Sequence, residues 1–350
     1  IFYFAFFILS FNVYSLDFNQ YCQYQAGEQD CSAEFMQILI DASNTGENIV
    51  LSAGEKYRID RIDTRGLALD GISIIGELGN KPIIYTDGLV LFDINDLSID
   101  GIKIMGIHNE DIDIIQGNSL LVIGTKEYLS RTSNITVNAT DFENAAEDLL
   151  VFWNTKNVTV TNNTFRRTGL AMRIAPIIDD PNDLRPRGSG LLFHNIINAK
   201  IGFNQFYEIK KVAIFLDNED ILDQDIEIFD NHIDMLSFEK PTQRYGFKGG
   251  SGIYLANSLN SLNIQIFNNR ILNYTQGGMR INGTNIKVTN NYFNFKGDCH
   301  EMDDSIDKPL VGMAIKAHHL IDSEITNNCI QNTHAGVVLE SWDNIENIFI

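Results

Sequence analysis

Short apolar stretches recur along the chain in one repeated arrangement. Each has two alternating apolar residues, then a polar pair that usually contains Asn, then one closing apolar residue. Seven segments share it: NITVNATDF (134–142), NVTVTNNTF (157–165), NAKIGFNQF (198–206), DIEIFDNHI (225–233), NIQIFNNRI (263–271), NIKVTNNYF (285–293) and DSEITNNCI (322–330). Alternation at period 2 predicts short strands. Asn predicts sharp bends, because it tolerates left-handed backbone angles.

The closing apolar residues define the length of the repeat. They are Phe142, Phe165, Phe206, Ile233, Ile271, Phe293 and Ile330, with spacings of 23, 41, 27, 38, 22 and 37 residues. The short spacings predict a unit of about 22–27 residues, and the long ones a unit with an insertion. The polar position two residues before each closing residue is Asn in six segments and Thr140 in the other. Stacked Asn side chains there can form a hydrogen-bonded ladder.

A second strand type begins with Gly and also alternates at period 2. It reads GLLFHN (190–195), GIYLAN (252–257), GMRING (278–283), GMAIKA (312–317) and GVVLES (336–341). One turn of the repeat therefore contains at least two short strands separated by bends.

This organisation resembles the right-handed parallel β-helix of the pectate lyase superfamily. The resemblance covers about residues 45–350 and implies an all-β fold, a single-stranded right-handed parallel β-helix with an N-terminal capping helix. Residues 31–59 are similar to the superfamily's N-terminal portion, where a helix covers the first coil. Phe35, Leu39 and Ala42 lie at helical spacing after Ser32. We expect a segment 16–44 with this helix, then one solenoid from 45 to 350.

The two ends of the sequence carry further signals. The first nine residues, IFYFAFFIL, are apolar and too few to span a bilayer. They are typical of a secretory signal peptide (1–15, with its charged start missing), so we expect a secreted protein without a membrane span in the mature chain. A buried strand is the alternative. The last five residues resemble the start of another strand, which predicts that the sequence is truncated.

Four cysteines are compatible with export. Cys22 and Cys31 are expected to close a small loop by a disulfide bond. A bond between Cys299 and Cys329 stays open.

Composition limits the partners of the protein. The 350 residues are 44% hydrophobic and 21% charged, which excludes wholesale disorder, and the net charge is −20. A chain this acidic is a poor binder of nucleic acid. We expect a polysaccharide partner and leave the oligomeric state open.

Three insertions fall at one place in the repeat, at about 166–189, 236–250 and 294–311, before the Gly-led strands. They should overhang one face of the solenoid, and long loops often carry function. In the superfamily that the chain resembles, the polysaccharide lies along such a groove.

Alternation predicts which side chains point outward on that face. Arg280 and Asn282 should point outward on one coil, with Tyr254 on the preceding coil. Lys316 and Glu340 should follow on the next two coils, and His318 ends the Lys316 strand. A lyase acting on a uronic-acid polymer must neutralise the carboxylate and remove the C5 proton. Lys316 or Arg280 is the candidate base, with His318 as the alternative, and Tyr254 and Asn282 are candidate substrate contacts. The simpler interpretation is a surface Lys316–Glu340 ion pair worth under about 1 kcal/mol.

The first insertion contains five arginines. They are Arg166, Arg167, Arg173, Arg185 and Arg187. Arginine forks bind carboxylates bidentately, so this patch, with Arg173, Arg185 and Arg187 as binding candidates, is able to admit an acidic glycan. The alternative is that neighbouring Asp residues pair with these arginines and order the loop.

The third insertion contains a cluster of acidic residues: Asp298, Glu301, Asp303 and Asp304. Oxygen ligands suit Ca²⁺, so a calcium site is a candidate here, with a solvated acidic loop as the alternative.

Two other functions remain open. A glycoside hydrolase needs two suitably spaced carboxylates, but the Asn-Thr-Asp and Gly-His-Gly motifs of polygalacturonases are absent, as is the Asp-Pro-His motif of alginate epimerases. A non-catalytic glycan-binding or adhesion solenoid is the second alternative.

Overall fold

The computed structural model describes residues 15–22, 29–107, 118–125, 132–169, 172–174, 184–186, 188–217, 223–235, 250–256, 261–274, 277–295, 312–333, 335–340 and 345–350. The N-terminal elements are β1 (Ser15–Asp17), α1 (Phe18–Tyr21) and α2 (Ser32–Thr45). The strands of the first coils are β2 (Asn48–Leu51), β3 (Lys56–Arg58), β4 (Arg61–Asp63), β5 (Ser73–Gly76), β6 (Ile83–Thr86), β7 (Gly88–Phe92), β8 (Leu97–Asp100), β9 (Lys103–Gly106), β10 (Leu121–Gly124), β11 (Thr132–Asn138) and β12 (Asp141–Glu143).

The strands of the middle coils are β13 (Leu150–Thr161), β14 (Thr164–Arg166), β15 (Met172–Ile174), β16 (Leu184–Pro186), β17 (Leu191–Gly202), β18 (Gln205–Tyr207), β19 (Val212–Leu216), β20 (Asp223–Phe229) and β21 (His232–Asp234). Those of the last coils are β22 (Ser251–Leu255), β23 (Ser261–Phe267), β24 (Arg270–Leu272), β25 (Gly277–Thr289), β26 (Tyr292–Asn294), β27 (Met313–Ile321), β28 (Glu324–Thr326), β29 (Cys329–Gln331), β30 (Ala335–Leu339) and β31 (Ile345–Glu346).

The coils stack three parallel sheets along the solenoid. Sheet 1 contains β4, β7, β10, β19, β22, β27, β30 and the first halves of β13, β17 and β25. Sheet 2 contains β2, β5, β8, β11, β20, β23, β28 and the second halves of the same three long strands. Sheet 3 is the ten-stranded sheet from β3 to β29. The fold is the predicted right-handed parallel β-helix.

Large side chains stack in columns inside the solenoid. Phe142, Phe165 and Phe206 lie on successive coils of sheet 3, with ring centroids 5.1 and 4.7 Å apart and nearly parallel planes. All three are fully buried. Because coils repeat at the spacing of paired strands, about 4.8 Å, a repeated Phe automatically stacks on itself. Such ring pairs contribute about 0.5–1.5 kcal/mol beyond their area burial.

The predicted Asn ladder is present at the bend between sheets 2 and 3. Asn163, Asn204, Asn231, Asn269 and Asn291 are each 1% exposed or less. Each side-chain amide donates to the side-chain oxygen of the next Asn, at 2.9–3.0 Å, and also to a backbone carbonyl, as from Asn204 to Val160. The side-chain amides at this buried bend thereby find their hydrogen-bond partners within the protein and not in water.

The N-terminal cap contains the predicted helix and two further elements. Phe35, Ile38, Leu39 and Ala42 of α2 are buried against the first coil, and α2 ends at Gly46 in the left-handed conformation that favours Gly. β1 extends sheet 2 by pairing with β2, which the sequence did not predict. The predicted Cys22–Cys31 disulfide bond is present, whereas Cys299 lies outside the described residues.

Neither helix within the described residues combines the length and the hydrophobicity that crossing a bilayer requires. The signal peptide predicted for 1–15 lies outside those residues except for Ser15, so secretion stays an expectation.

Candidate functional site

One column of side chains runs along the outer face of sheet 1. Its members are directly opposed on successive strands: Val90, Val122, Val151, Leu192, Phe215, Tyr254, Arg280, Lys316 and Val338. The column is aliphatic on the early coils, aromatic in the middle and cationic near the C-terminal end. The insertions occur at the predicted place in the repeat. Each follows a strand of sheet 3 in the chain and precedes the next strand of sheet 1.

Four predicted residues meet at the cationic end and are called the cationic cluster: Arg280, Lys316, His318 and Glu340. The Lys316 Nζ lies 3.0 Å from Oε2 of Glu340, and the Nδ1 of His318 lies 3.6 Å from the same oxygen. The Lys316 side chain is only 3% exposed, whereas His318 and Glu340 are 28% and 26% exposed. Arg280 places its guanidinium carbon 5.5 Å from the ring centroid of Tyr254, a cation–π contact.

A β-bulge positions His318. The β25–β27 register pairs Ile281 with Ala317 but Asn282 with His319, so β27 carries one additional residue. The Oδ1 of Asn282 accepts the backbone N–H groups of His318 and His319, and its Nδ2 donates to the carbonyl of Leu255. Asn282 is 6% exposed. The Asn282 side chain therefore binds the backbone of both neighbouring coils, and its role as a substrate contact stays a prediction.

The charge state of His318 follows from its surroundings. Burial lowers the pKa of the imidazole below its usual value, and the charges of Lys316 and Arg280 lower it further, while Glu340 opposes them. His318 is therefore largely neutral near pH 7 and able to accept a proton. Lys316 instead forms an ion pair with the Glu340 carboxylate.

A pocket of about 300 Å³ opens on the same face, on earlier coils, and is called the upstream pocket. Its floor is part of the outer column: Val122, Val151, Leu192 and Phe215. Two residues further along the same strands, Trp153, His194 and Asp217 form one wall. The Trp153 and His194 rings stack with centroids 4.0 Å apart, and His194 Nδ1 lies 3.1 Å from the carbonyl oxygen of Asp217.

Gly124 makes room for that wall. It is paired with Trp153, at φ +146°, and a Cβ at this position would lie 2.0 Å from the Trp153 carbonyl oxygen. Only Gly permits this approach of two backbones.

The opposite wall carries most of the charge and includes Ser119, Glu147, Asp148 and Lys211. The Asp148 carboxylate accepts the backbone N–H of Ser189 at 2.5 Å and lies 3.4 Å from the Ser119 hydroxyl. Burial raises the pKa of Asp148, against the lowering effects of Ser189 and Lys211. The Lys211 Nζ lies 4.7 Å from the ring centroid of Phe215, so the lysine reaches from the wall over the floor.

Sequence reasoning missed this pocket. Two of its strands, β13 and β19, lack the leading Gly by which the outer strands were recognised. The available signal was an acidic or basic residue beside an apolar run, as in EDLLVFW (147–153) and KVAIFLD (211–217).

The predicted arginine patch is only partly described. Arg173 and Arg185 are opposite each other in the antiparallel pair β15–β16, and Arg187 lies outside the described residues. Arg166 and Arg167 both pair with Glu208, at 3.4 and 2.7 Å. These two guanidinium groups therefore share one carboxylate, that of Glu208.

The predicted calcium ligands Asp298, Glu301, Asp303 and Asp304 also lie outside the described residues. Within the part of the chain that the structure describes, no three His, Cys, Asp or Glu side chains converge on a position that could hold a metal ion.

Solved structures of other proteins share the fold of this chain, whereas comparisons of its sequence give no match. No protein-family model matches the sequence, and no curated protein matches it. Among solved structures, the chain is similar to the Dettilon tailspike protein (TM-score 0.56, 13% identity, 92% of this chain and 64% of that chain). It is also similar to the enzymatically active domain of bacteriophage CBA120 tailspike protein 2 (TM-score 0.56, 11% identity, 97% and 47%).

A third similar structure is DFA-IIIase from Arthrobacter chlorophenolicus A6 (TM-score 0.53, 8% identity, 95% of this chain and 93% of that chain). The chain thus spans about two thirds and about half of the two tailspike chains. At these identities the similarity shows the fold, a right-handed parallel β-helix.

Proposed function

We propose that the protein is a secreted polysaccharide-active enzyme, a lyase that cleaves a uronate-containing glycan by β-elimination at the cationic cluster. The observation that carries this proposal is the meeting of two cations with a neutral imidazole on the outer face of one sheet. Arg280 and Lys316 occupy adjacent positions of the column, and His318 lies beside them with a lowered pKa. In a chain of net charge −20, this local excess of positive charge is suited to an anionic substrate.

Arg280 is the residue that contacts the uronate carboxylate. It is partly exposed and held over Tyr254, so its fork faces the groove. Lys316 is almost fully covered and pairs with Glu340. It therefore acts on the substrate through its positive charge and not by direct contact. Both charges stabilise the negative charge that develops on the carboxylate when C5 loses its proton.

His318 is the base in this scheme, in place of Lys316 or Arg280. The Glu340 carboxylate lies 3.6 Å from Nδ1, beyond hydrogen-bond distance, and its charge favours a hydrogen on Nδ1, so this scheme assigns the proton acceptor to Nε2. The C5–H bond breaks and its proton moves to Nε2. The C4–O bond then breaks as the C4–C5 double bond forms, and the leaving oxygen takes a proton from the imidazolium or from water.

Other observations support the broader proposal. One structurally similar tailspike domain is described as enzymatically active and DFA-IIIase is an enzyme, which supports a catalytic function on this fold. The Cys22–Cys31 bond favours an oxidising compartment, which supports secretion.

The test is an activity screen of the purified protein on pectate, alginate, hyaluronan and ulvan-type polymers. Each polymer is incubated with added Ca²⁺ and with chelator, because the acidic insertion is a candidate calcium site. The ultraviolet absorbance of unsaturated uronide should rise on at least one polymer. His318→Ala should abolish the rise, while Lys200→Met, which removes an exposed lysine on sheet 2, should not.

A rise in reducing ends without a rise in ultraviolet absorbance would show that the protein cleaves the polymer by hydrolysis and not by elimination. No reaction on any polymer would overturn the proposed enzymatic function and favour a glycan-binding protein. Elimination that survives both His318→Ala and Arg280→Gln would place the catalytic site elsewhere.

A further inference from the structure

The upstream pocket has the shape and surface of a sugar subsite. Its volume, about 300 Å³, is at the small end of ligand pockets and suits a sugar unit better than a polymer segment. Sugar rings have apolar C–H faces and hydroxyls around the edge. The floor offers an apolar surface to such a face at Val122 and Leu192, beside the Phe215 ring over which Lys211 lies, and the polar walls on both sides offer partners to the hydroxyls.

The charge of the pocket differs from that of the cationic cluster. Among the described residues, Glu147, Asp148 and Asp217 provide three carboxyl groups, of which Asp148 has a pKa raised by burial, against one lysine, Lys211. Ionised carboxylates accept hydrogen bonds from hydroxyls. They also repel another carboxylate, since like charges placed together disfavour binding.

The two sites are joined by a continuous surface. Phe215 and Tyr254 stack with centroids 5.2 Å apart, and Arg280 covers Tyr254 from the next coil. Phe215 and Arg280 are two coils apart in the column, which is about 10 Å at the spacing of paired strands. One glycan chain is therefore able to contact both sites.

From this arrangement we infer that the upstream pocket binds an uncharged sugar unit, so that the groove selects a glycan containing both neutral and uronate units. The inference deepens the proposed function and rests on it only in taking a glycan as the ligand.

Tryptophan fluorescence tests this directly, because the chain has only two tryptophans, Trp153 and Trp342. In a Trp342→Phe background the signal reports Trp153 alone. The protein is titrated with tetrasaccharides of neutral hexoses (gluco-, galacto- and manno-), of uronates and of amino sugars. We expect saturable changes with a neutral tetrasaccharide, and at least tenfold weaker binding of the uronates at this site.

Two variants test the walls. Asp148→Asn keeps an oxygen for the Ser189 N–H but replaces the second carboxyl oxygen by an amide, and Lys211→Met keeps the length of the side chain without the ammonium. Each should weaken neutral binding about tenfold, the value of a hydrogen bond to a charged group. The matched controls Glu227→Gln and Lys200→Met lie as an exposed pair on sheet 2 and should change nothing.

Three results would overturn the inference: no saturable change with any neutral tetrasaccharide, uronate binding at least as tight as neutral binding, or tighter binding of amino sugars. Neutral binding without elimination on any polymer would leave this inference standing and remove the proposed function. Elimination without neutral binding would leave the proposed function standing and overturn this inference.

Discussion

The Nζ of Lys316 lies 3.0 Å from Oε2 of Glu340, although the two residues are on neighbouring coils and are not paired in the strand register. Lys316 is paired with Val338, and Glu340 follows two residues later. The ion pair thus crosses the sheet diagonally and connects the outer column to the bulge within β27, where His318 lies. It gives Lys316 a structural role as well as an electrostatic one.

Loss of the two partners of this pair should have unequal effects on stability. Glu340→Ala leaves a covered ammonium without its carboxylate and should lower the free energy of unfolding by about 1–3 kcal/mol, less than for a fully buried pair because Glu340 is partly exposed. Lys316→Met leaves a carboxylate that can be hydrated and should cost less than about 1 kcal/mol. Urea unfolding measures both, and equal losses would contradict the asymmetry.

The pH dependence of elimination should report His318. Its pKa is lowered, so kcat/KM should rise with pH through an apparent pKa below about 6.5 and level off near neutrality. Lys316→Met removes a charge that lowers this pKa and should shift the profile to higher pH. Glu340→Gln removes the charge that raises it and should shift the profile to lower pH. Profiles that do not move, or that move in the opposite directions, would exclude His318 as the titrating base.

Removal of the catalytic groups should separate binding from chemistry. His318→Ala should lower kcat by about 100-fold or more with little change in KM, the usual range for general-base catalysis. Arg280→Gln should raise KM and lower kcat/KM about 10- to 100-fold, because a charged contact to the uronate is lost. Steady-state kinetics on the active polymer checks both. A purely structural role would show as equal loss of folded protein in both variants, measured by circular dichroism.

The Asn ladder should make a large contribution to stability. Asn231→Ala removes the oxygen that accepts from the backbone and side chain of Asn204, and the amide that donates to Ile201 and Asn269. Several buried groups would lose partners, and we expect a loss of about 3–5 kcal/mol in the unfolding free energy. Asn198→Gly is the control, because it removes one exposed hydrogen bond while keeping a residue suited to a left-handed angle. A loss for Asn231→Ala no larger than for this control would refute the ladder's role.

The N-terminal cap should depend on its disulfide bond. The Cys22→Ser/Cys31→Ser double variant should lose about 2–3 kcal/mol of stability, since the bond closes a short loop against the capping helix. Cys329→Ser, at an exposed position, should change stability by less than about 0.5 kcal/mol. Urea unfolding of both variants without reductant is the measurement. Indistinguishable midpoints would show that the cap is held by packing alone.

The sequence predicted the features that depend on periodicity. Asn at a fixed position of the repeat predicted the hydrogen-bonded ladder, because each coil repeats the environment of the one before. Alternation also placed Arg280, Lys316 and Glu340 on one face. These patterns are local and they repeat, so the pattern found in one coil describes many other coils.

The features that interrupt the period could not be predicted. A single additional residue in β27 shifts the register at Asn282, whose side-chain oxygen accepts the N–H groups of His318 and His319, and no composition signal marks a bulge. The upstream pocket was missed for a related reason, since Asp148 and Lys211 precede strands without a leading Gly. Their proximity to Trp153 arises only from the stacking register of coils separated by insertions.

The most direct test of the central claim is mass spectrometry of the oligosaccharides released from the polymer that reacts. Elimination at the cationic cluster predicts new non-reducing ends that are lighter than hydrolysis products by one water and carry the C4–C5 double bond. These products should disappear with His318→Ala and persist with Lys200→Met. Products of full hydrolysis mass, or unsaturated products undiminished in His318→Ala, would contradict the account.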